Sequence, residues 1–521
     1  MMRNRVLIHL LLCVAWVAPV ATCQNVENPV IGESFESMVS LLAEETPPSL
    51  IPEASDAALE QLAQTGHGAD LLEWARKAAE LEDIPETTYT RYREFRRSGA
   101  RRPYEGPYFE KRERLTREVI AAWLGQDHSR IDRINDLIWS ICEETTWVAP
   151  AHERDSWTID LFCAETGCEL AHVLFLLGDR LPDEIRHRVR SEVKRRLLDL
   201  YLEHGRDYWW NSGRNNWTGV CAGAMGQVAL MLEDDPERQA KVVSLTLEQL
   251  DRFIQIGFED DGACLEGIGY WNYGLLHFVG FAEMLRIRTA GAIDILAHDK
   301  LEAIAQYPLA VTIGPGLYAS FADSRERSSV CPFLAARLAE RTHTTGLLGL
   351  VGGATSWRIT TVLRNLVWWN GETKSPPELD TVAHPTSGIA RLVGQLAGHP
   401  AVIAAKAGHN AEPHNNNDIG SFIVRVGSHI YLCDPGAGLY SKDYFSAKRY
   451  DNIFANSYGH SVPRIAGHLQ PAGARFRGRI ELAGDDGLRI VFHDAYDLAE
   501  LKNAERRLAV THDYITLEDL F

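Results

Sequence analysis

From Ala57 to Trp369 apolar residues recur every three or four positions, the period of one face of a helix. In SEVKRRLLDLYLEHG, Val193, Leu197, Leu200 and Tyr201 fall on one side and Gly205 supplies a C-terminal stop. LTREVIAAWLG, IDRINDLIWSICEE, AETGCELAHVLFLLG, VCAGAMGQVALML, LTLEQLDRFIQIG and NYGLLHFVGFAEMLRIR repeat the pattern, separated by short connections carrying Gly, Pro, Asp or Trp. No strict internal repeat runs through them, which speaks against a regular solenoid.

The period changes after NGETKSPPELDTVAHPTSG, Asn370 to Gly388, a stretch rich in turn formers. In SFIVRVGSHIYLCD, Phe422, Val424 and Val426 alternate with Ile423 and Arg425, and Gly427-Ser428 can turn the chain into a second strand. RFRGRIEL and GLRIVFHDAY, joined by AGDD, predict another hairpin. The pattern predicts an α+β multidomain chain, a helical domain over residues 24–375 followed by an antiparallel β domain over 376–521. ITLEDLF is still strand-like at the C-terminus, where a last strand would lack partners, so either the sandwich is small or its final strands are missing from this sequence.

The N-terminus has the pattern of an export signal: basic MMRNR, apolar VLIHLLLCVAWVAPV and small-residue ATCQ, with cleavage expected after Cys23. The expected location is periplasmic or secreted, with lipidation of Cys23 as a minor alternative. The 521 residues are 45% hydrophobic, which excludes a mostly disordered chain. Nine cysteines leave seven if Cys13 and Cys23 go with the signal, and this odd, scattered set makes no disulfide framework and reads as mostly buried small apolar residues. A net charge of −18 argues against nucleic acid or an anionic membrane as partner, and no membrane insertion is expected after signal cleavage. An anionic substrate would require a local basic pocket.

Three stretches concentrate amides, aromatics and glycines at the ends of regular elements: YWWNSGRNNWTG, EDDGACLEGIGYWNYG, and EPHNNNDIGSF with its continuation DPGAGLYSKDYFSAKRYDNIFANSYGHSV. Taken singly, such aromatics are commonly core and such asparagines commonly cap helices. Together, NNW and DGACLEGIGYWNYG followed by HNNNDIGSF, DPGAGLY and GHSVP resemble the heparinase II/III-like polysaccharide lyases, which include heparin, heparan sulfate and oligoalginate lyases. The resemblance covers about Leu115 to Pro463. It implies an N-terminal incomplete (α/α) toroid, a C-terminal antiparallel β-sandwich that continues further than this chain does, and a cleft between them.

The chemistry implied is β-elimination across a uronic acid in an acidic polysaccharide. Carboxylate charge must be neutralised as an enolate forms, and Asn216 is the expected donor, with Asn215 second. The resemblance assigns Tyr270 as the acid, in some relatives also the base, and His414 as a base or carboxylate partner. Tyrosine suits this work if a cation lowers its pKa, and Arg214 is a local source; Tyr273 is the fallback one turn on. Glu266, Tyr444 and Arg449 are expected substrate contacts, the arginine for a uronate carboxylate, and Trp147 and His152 could line the other wall.

Relatives with zinc read His-x-His-x-Asp where this chain has His414, Asn416 and Asp418, with later ligands at Asp434 and His460. Asparagine is a poor zinc ligand beside imidazole, so no cofactor is expected to be required. Either Asn416 hydrogen-bonds to Asp434 and His460 in place of the metal, or His409 or His429 fills the gap. Asn415 and Asn417 are expected to satisfy backbone groups, and Asp418 to cap a turn or act as a catalytic group. Two other classes stay open: a hydrolase using Asp260, Asp261 and Glu266, and a glycan-binding protein without catalysis.

Overall fold

The computed structural model describes residues 35–43, 55–80, 83–484 and 486–521. The signal segment lies outside them. Helices dominate up to Ile359–Val367, and strands follow from Val382. Local chemistry sets the helix starts. Asp160 accepts from the Cys163 amide ahead of Leu161–Leu177, Asn215 accepts from the Trp217 amide ahead of Asn216–Leu232, and Asp235 precedes Pro236 at the start of Pro236–Ile256.

The helical stretch around Val193 is continuous from Asp183 to His204, with one widened turn over Lys194–Leu198. Gly205 ends it, as the sequence predicts, in a right-handed conformation. Glycine is needed there for space, because a Cβ would lie 2.4 Å from Leu245 Cδ2. By length and hydropathy Leu161–Arg180 could cross a membrane, contrary to the sequence expectation, yet 78% of that window is buried inside the protein.

Two helices position the cleft residues. Asn216–Leu232 and Ile268–Arg288 start at the first two clusters and pack together unusually closely. A Cβ on Gly219 would lie 2.7 Å from the Gly274 carbonyl oxygen, and one on Gly223 2.6 Å from that of His277. Glycines four residues apart on one face thus let backbone meet backbone. The consequence is positional: Asn216 and Tyr270 start neighbouring helices at the same end.

The strands are β1 Thr312–Gly314, β2 Leu317–Tyr318, β3 Val382–His384, β4 Ile389–Leu396, β5 His399–Lys406, β6 Gly408–Asn410, β7 Phe422–Val426, β8 His429–Leu432, β9 Gly473–Leu482, β10 Gly487–Val491, β11 Glu505–Val510 and β12 Ile515–Leu520. β3-β4-β5-β7-β8 and β12-β11-β10-β9-β6 form two antiparallel five-stranded sheets. Both predicted hairpins are present, Val426 facing His429 and Leu482 facing Leu488. β12, expected to lack partners, pairs along its length with β11.

Alternation on β5 sorts its residues. Ile403 and Ala405 face Ile480, Leu488 and Ile490 in the sandwich core, while Val402 and Ala404 pack with Ile313, Leu317 and Phe321 from the preceding domain. Arg391 crosses the same boundary, donating to the carbonyls of Leu309 and Thr312 at 2.6 and 2.7 Å. A buried guanidinium satisfied by the end of a helix makes a directional clamp. The two domains are therefore fixed against each other beside the cleft.

Gly223→Val should destabilise the fold by roughly 1–3 kcal/mol or more, since a branched side chain has no room at a backbone contact. Chemical denaturation of the variant against the parent checks this.

Candidate active site

A cleft of about 1650 Å³ lies between the domains, and Asp323 is the hub of its floor. Its side chain is fully buried and accepts from Tyr444 Oη at 2.6 Å and Arg449 Nη2 at 2.9 Å on Oδ1. Oδ2 faces His414 Nδ1 at 2.7 Å and accepts from Tyr440 Oη at 3.2 Å. Burial alone would raise the Asp323 pKa, but His414, Arg449 and Tyr444 outweigh it and hold the carboxyl below its usual range. His414 (φ 56°) and Ala322 (φ 59°) both sit in the left-handed region, so strained backbone flanks the pair on each side.

With Nδ1 committed to Asp323, the other ring nitrogen of His414 is the one open to chemistry. It faces Glu266 Oε1 at 3.4 Å. Tyr270 stacks on the imidazole with ring centroids 4.3 Å apart, and its hydroxyl meets that of Tyr440 at 2.5 Å. Because Tyr440 gives its proton to Asp323, Tyr270 is the donor in that contact. Burial raises the Tyr270 pKa; the hydrogen bond with Tyr440 opposes it, while the carboxylates of Glu266 and Asp323 add to it and Arg101 opposes it weakly. Tyr270 is thus held protonated.

Glu266 is positioned by Gly267, whose φ of 95° brings Ser324 to where a Cβ would lie. Its carboxylate accepts from the backbone N of Asn216 at 2.7 Å and from Nδ2 at 2.9 Å. Burial raises the Glu266 pKa, opposed by His414 and Asn216. Asn216 itself is 1% exposed, and its amide oxygen is buried without a partner.

Below the hub, Asp434 Oδ2 lies 2.8 Å from His460 Nδ1, and Asp418, Asp434 and His460 each place one ligand atom within 4.8 Å of the others. Asp418 Oδ2 is buried and unpartnered, while Lys406 lies 2.8 Å from Oδ1. Two carboxylates and an imidazole around an orphaned oxygen fit a divalent cation, with Asp418 in the place expected of Asn416. Asn416 points away, donating to the Ala322 carbonyl and accepting from Arg449, and neither His409 nor His429 joins the cluster. The expected hydrogen bonds from Asn416 to Asp434 and His460 are therefore absent.

No protein-family model matches the sequence, and no curated protein matches it either. Among solved structures, heparinase III superposes with a TM-score of 0.61 at 14% identity, over 93% of this chain and 74% of that one. Heparan sulfate lyase HepC from Pedobacter heparinus superposes with a TM-score of 0.51 at 12% identity, over 91% and 71%. The chain has the heparinase-like polysaccharide lyase fold.

Within that heparinase-like fold, Tyr270, His414, Glu266, Asn215, Tyr273, Tyr444 and Arg449 line the cleft. Asn216 does not, because its donors are taken by Glu266. Arg214 is exposed on its turn and outside the cleft, so the cation expected to lower the Tyr270 pKa is absent and the shift runs the other way. Tyr273 donates to Glu165, which also holds His277 and Arg358, so it belongs to a buried support. Tyr444 and Arg449 grip Asp323 and His414 rather than standing free for a glycan. Asp261 ties down Ser387 across the domain boundary, and Asp260 is exposed away from the cleft. His152 does line the opposite wall, between Arg101 and the buried Asp160, whereas Trp147 is core.

Sequence reasoning missed Asp323 and Tyr440. Tyr440 stands in the DPGAGLY motif, but Asp323 lies in SFADSRE, which carries no signal of its own.

Because its pKa is lowered on folding, Asp323 adds stability that is complete above the unfolded carboxyl value, near ~4, and lost as pH falls through its lower folded value. The melting temperature should drop over that acidic window in the parent, and Asp323→Asn should lack that part of the drop. Thermal melts of both proteins across the window test the sign.

Proposed function

We propose that this protein is a polysaccharide lyase that cleaves a uronic-acid-containing glycan by β-elimination. The observation that carries it is a base and an acid in stacking contact: His414, its tautomer set by Asp323, against a Tyr270 held protonated. Proton abstraction beside a carboxylate and protonation of a departing oxygen need such a pair. The cleft also answers the charge problem. Arg102, Arg154, Arg325 and Lys442 line it, exposed and without carboxylate partners among the described residues, in a chain of net charge −18. Heparinase III and the heparan sulfate lyase HepC share the fold, which agrees with this reading.

In this mechanism Nε2 of His414 takes the proton from the carbon next to the uronate carboxylate. The electron pair left behind becomes a carbon–carbon double bond as the glycosidic carbon–oxygen bond breaks, and the Tyr270 hydroxyl protonates the leaving oxygen. Tyr440, within hydrogen-bond reach, then turns its hydroxyl from Asp323 to the resulting phenolate. Glu266, kept towards its neutral form by burial and held in place by Asn216, neutralises the substrate carboxylate. A divalent cation held by Asp418, Asp434 and His460 would brace the floor of the cleft, and no step passes through it. The hydrolytic alternative loses support because neither Asp260 nor Asp261 lines the cleft.

Elimination creates a conjugated double bond, so ultraviolet absorbance should rise when the protein meets its substrate among a panel of uronate polysaccharides. Tyr270→Phe and His414→Ala should each lower kcat by about 10²-fold or more, the scale of general acid–base catalysis, and Asp323→Asn should follow them with an altered pH profile. Chelation with EDTA should leave the rate unchanged. New reducing ends without absorbance would mean hydrolysis, and rates indifferent to Tyr270→Phe and His414→Ala would sink the assignment.

A further inference from the structure

The helical domain reaches across the cleft and joins the β domain backbone to backbone. Ala100 and Ser441 form an isolated antiparallel bridge, and the Lys442 amide donates to the Gly99 carbonyl at 3.2 Å. Gly99 ends the helix Tyr89–Ser98 with a φ of 77°, and a Cβ there would lie 3.0 Å from Lys442 Cβ. The contact continues into the side chains: the Arg101 guanidinium lies 5.8 Å from the Phe445 ring centre and 2.8 Å from His152 Nε2. Phe445 in turn stands edge-on to His414 at 6.1 Å and to Tyr440 at 4.7 Å. This clasp is therefore immediately beside the stacked base and acid. Arg102 and Lys442, two of the unpaired cations, sit on it and line the cleft.

An open groove lets a polymer lie through the site, with cleavage anywhere along it. A backbone bridge next to the reacting groups leaves no such path on its side. We propose that the clasp of Gly99–Arg101 on Ser441–Phe445 stops the glycan beside the catalytic pair, so that cleavage is exolytic and releases one short product of fixed length. Arg102 and Lys442 would hold the carboxylate of the terminal sugar. This rests on the lyase reading above and adds the direction and length of the cut.

The test uses the full chain and whichever uronate polysaccharide gives absorbance. Size-exclusion analysis should show a single monosaccharide or disaccharide product from the earliest times, with the polymer peak and the viscosity scarcely changed. A ladder of intermediate sizes with rapid loss of viscosity would overturn the clasp while leaving the lyase reading intact. Gly99→Val, which combines strain at a left-handed position with a side chain against Lys442, should part the clasp and make longer products the majority, with melting curves verifying the fold. A folded Gly99→Val variant with the parental product profile would overturn the proposal. Independently of turnover, Tyr270→Phe should bind a uronate polymer once per chain whatever its length. Binding along the chain, or no binding, would overturn the clasp; chain-end binding by a parent that gives no absorbance would overturn the lyase reading alone.

Discussion

One buried carboxylate organises this protein. Asp323 has no water to solvate it, so its charge must be met by neighbours, and the fold supplies His414, Arg449, Tyr440 and Tyr444 from loops of the β domain while Asp323 itself comes from the helical one. Removing any partner leaves charge exposed to a low-dielectric interior. The hub is therefore both a tie across the cleft and the device that sets the tautomer of His414. Strained backbone at Ala322 and His414 is sustained by this over-determined network.

The helical pair supplies the other half. Glycines at 219 and 223 let Asn216–Leu232 approach Ile268–Arg288 until their carbonyls limit the contact, and the starts of both helices then share one end of the cleft. There Glu266 binds Asn216, and Tyr270 projects onto His414. Helix packing distance thus becomes site geometry. A larger residue in the stripe would move Tyr270 away from His414.

Electrostatics are divided by depth. At the floor, carboxylates are matched by Lys406, Arg449 and histidines, so little net charge faces inward. At the rim, Arg102, Arg154, Arg325 and Lys442 have no carboxylate partners among the described residues, and an acidic protein acquires a surface that attracts a polyanion. The absence of local pairing is what leaves these cations free for a ligand.

Local pattern by itself determined the helical and strand regions, both C-terminal hairpins and the three polar stretches, because periodicity and turn chemistry act over a few residues. The resemblance to the heparinase II/III-like lyases, not local pattern, pointed to Tyr270 and His414, which stand in its motifs. Only the tertiary structure decided what those residues touch. Asp323 lies 91 positions from His414 in sequence and Tyr440 170 from Tyr270, so no local signal could pair them. Arg214 beside the motif proved not to line the cleft, and Arg101, far from it in sequence, does. Asn416 occupies the motif position of a ligand, yet the turn of the backbone aims Asp418 at the carboxylate–histidine pair instead. Contact, burial and charge balance belong to the folded chain, since each depends on segments that only packing brings together.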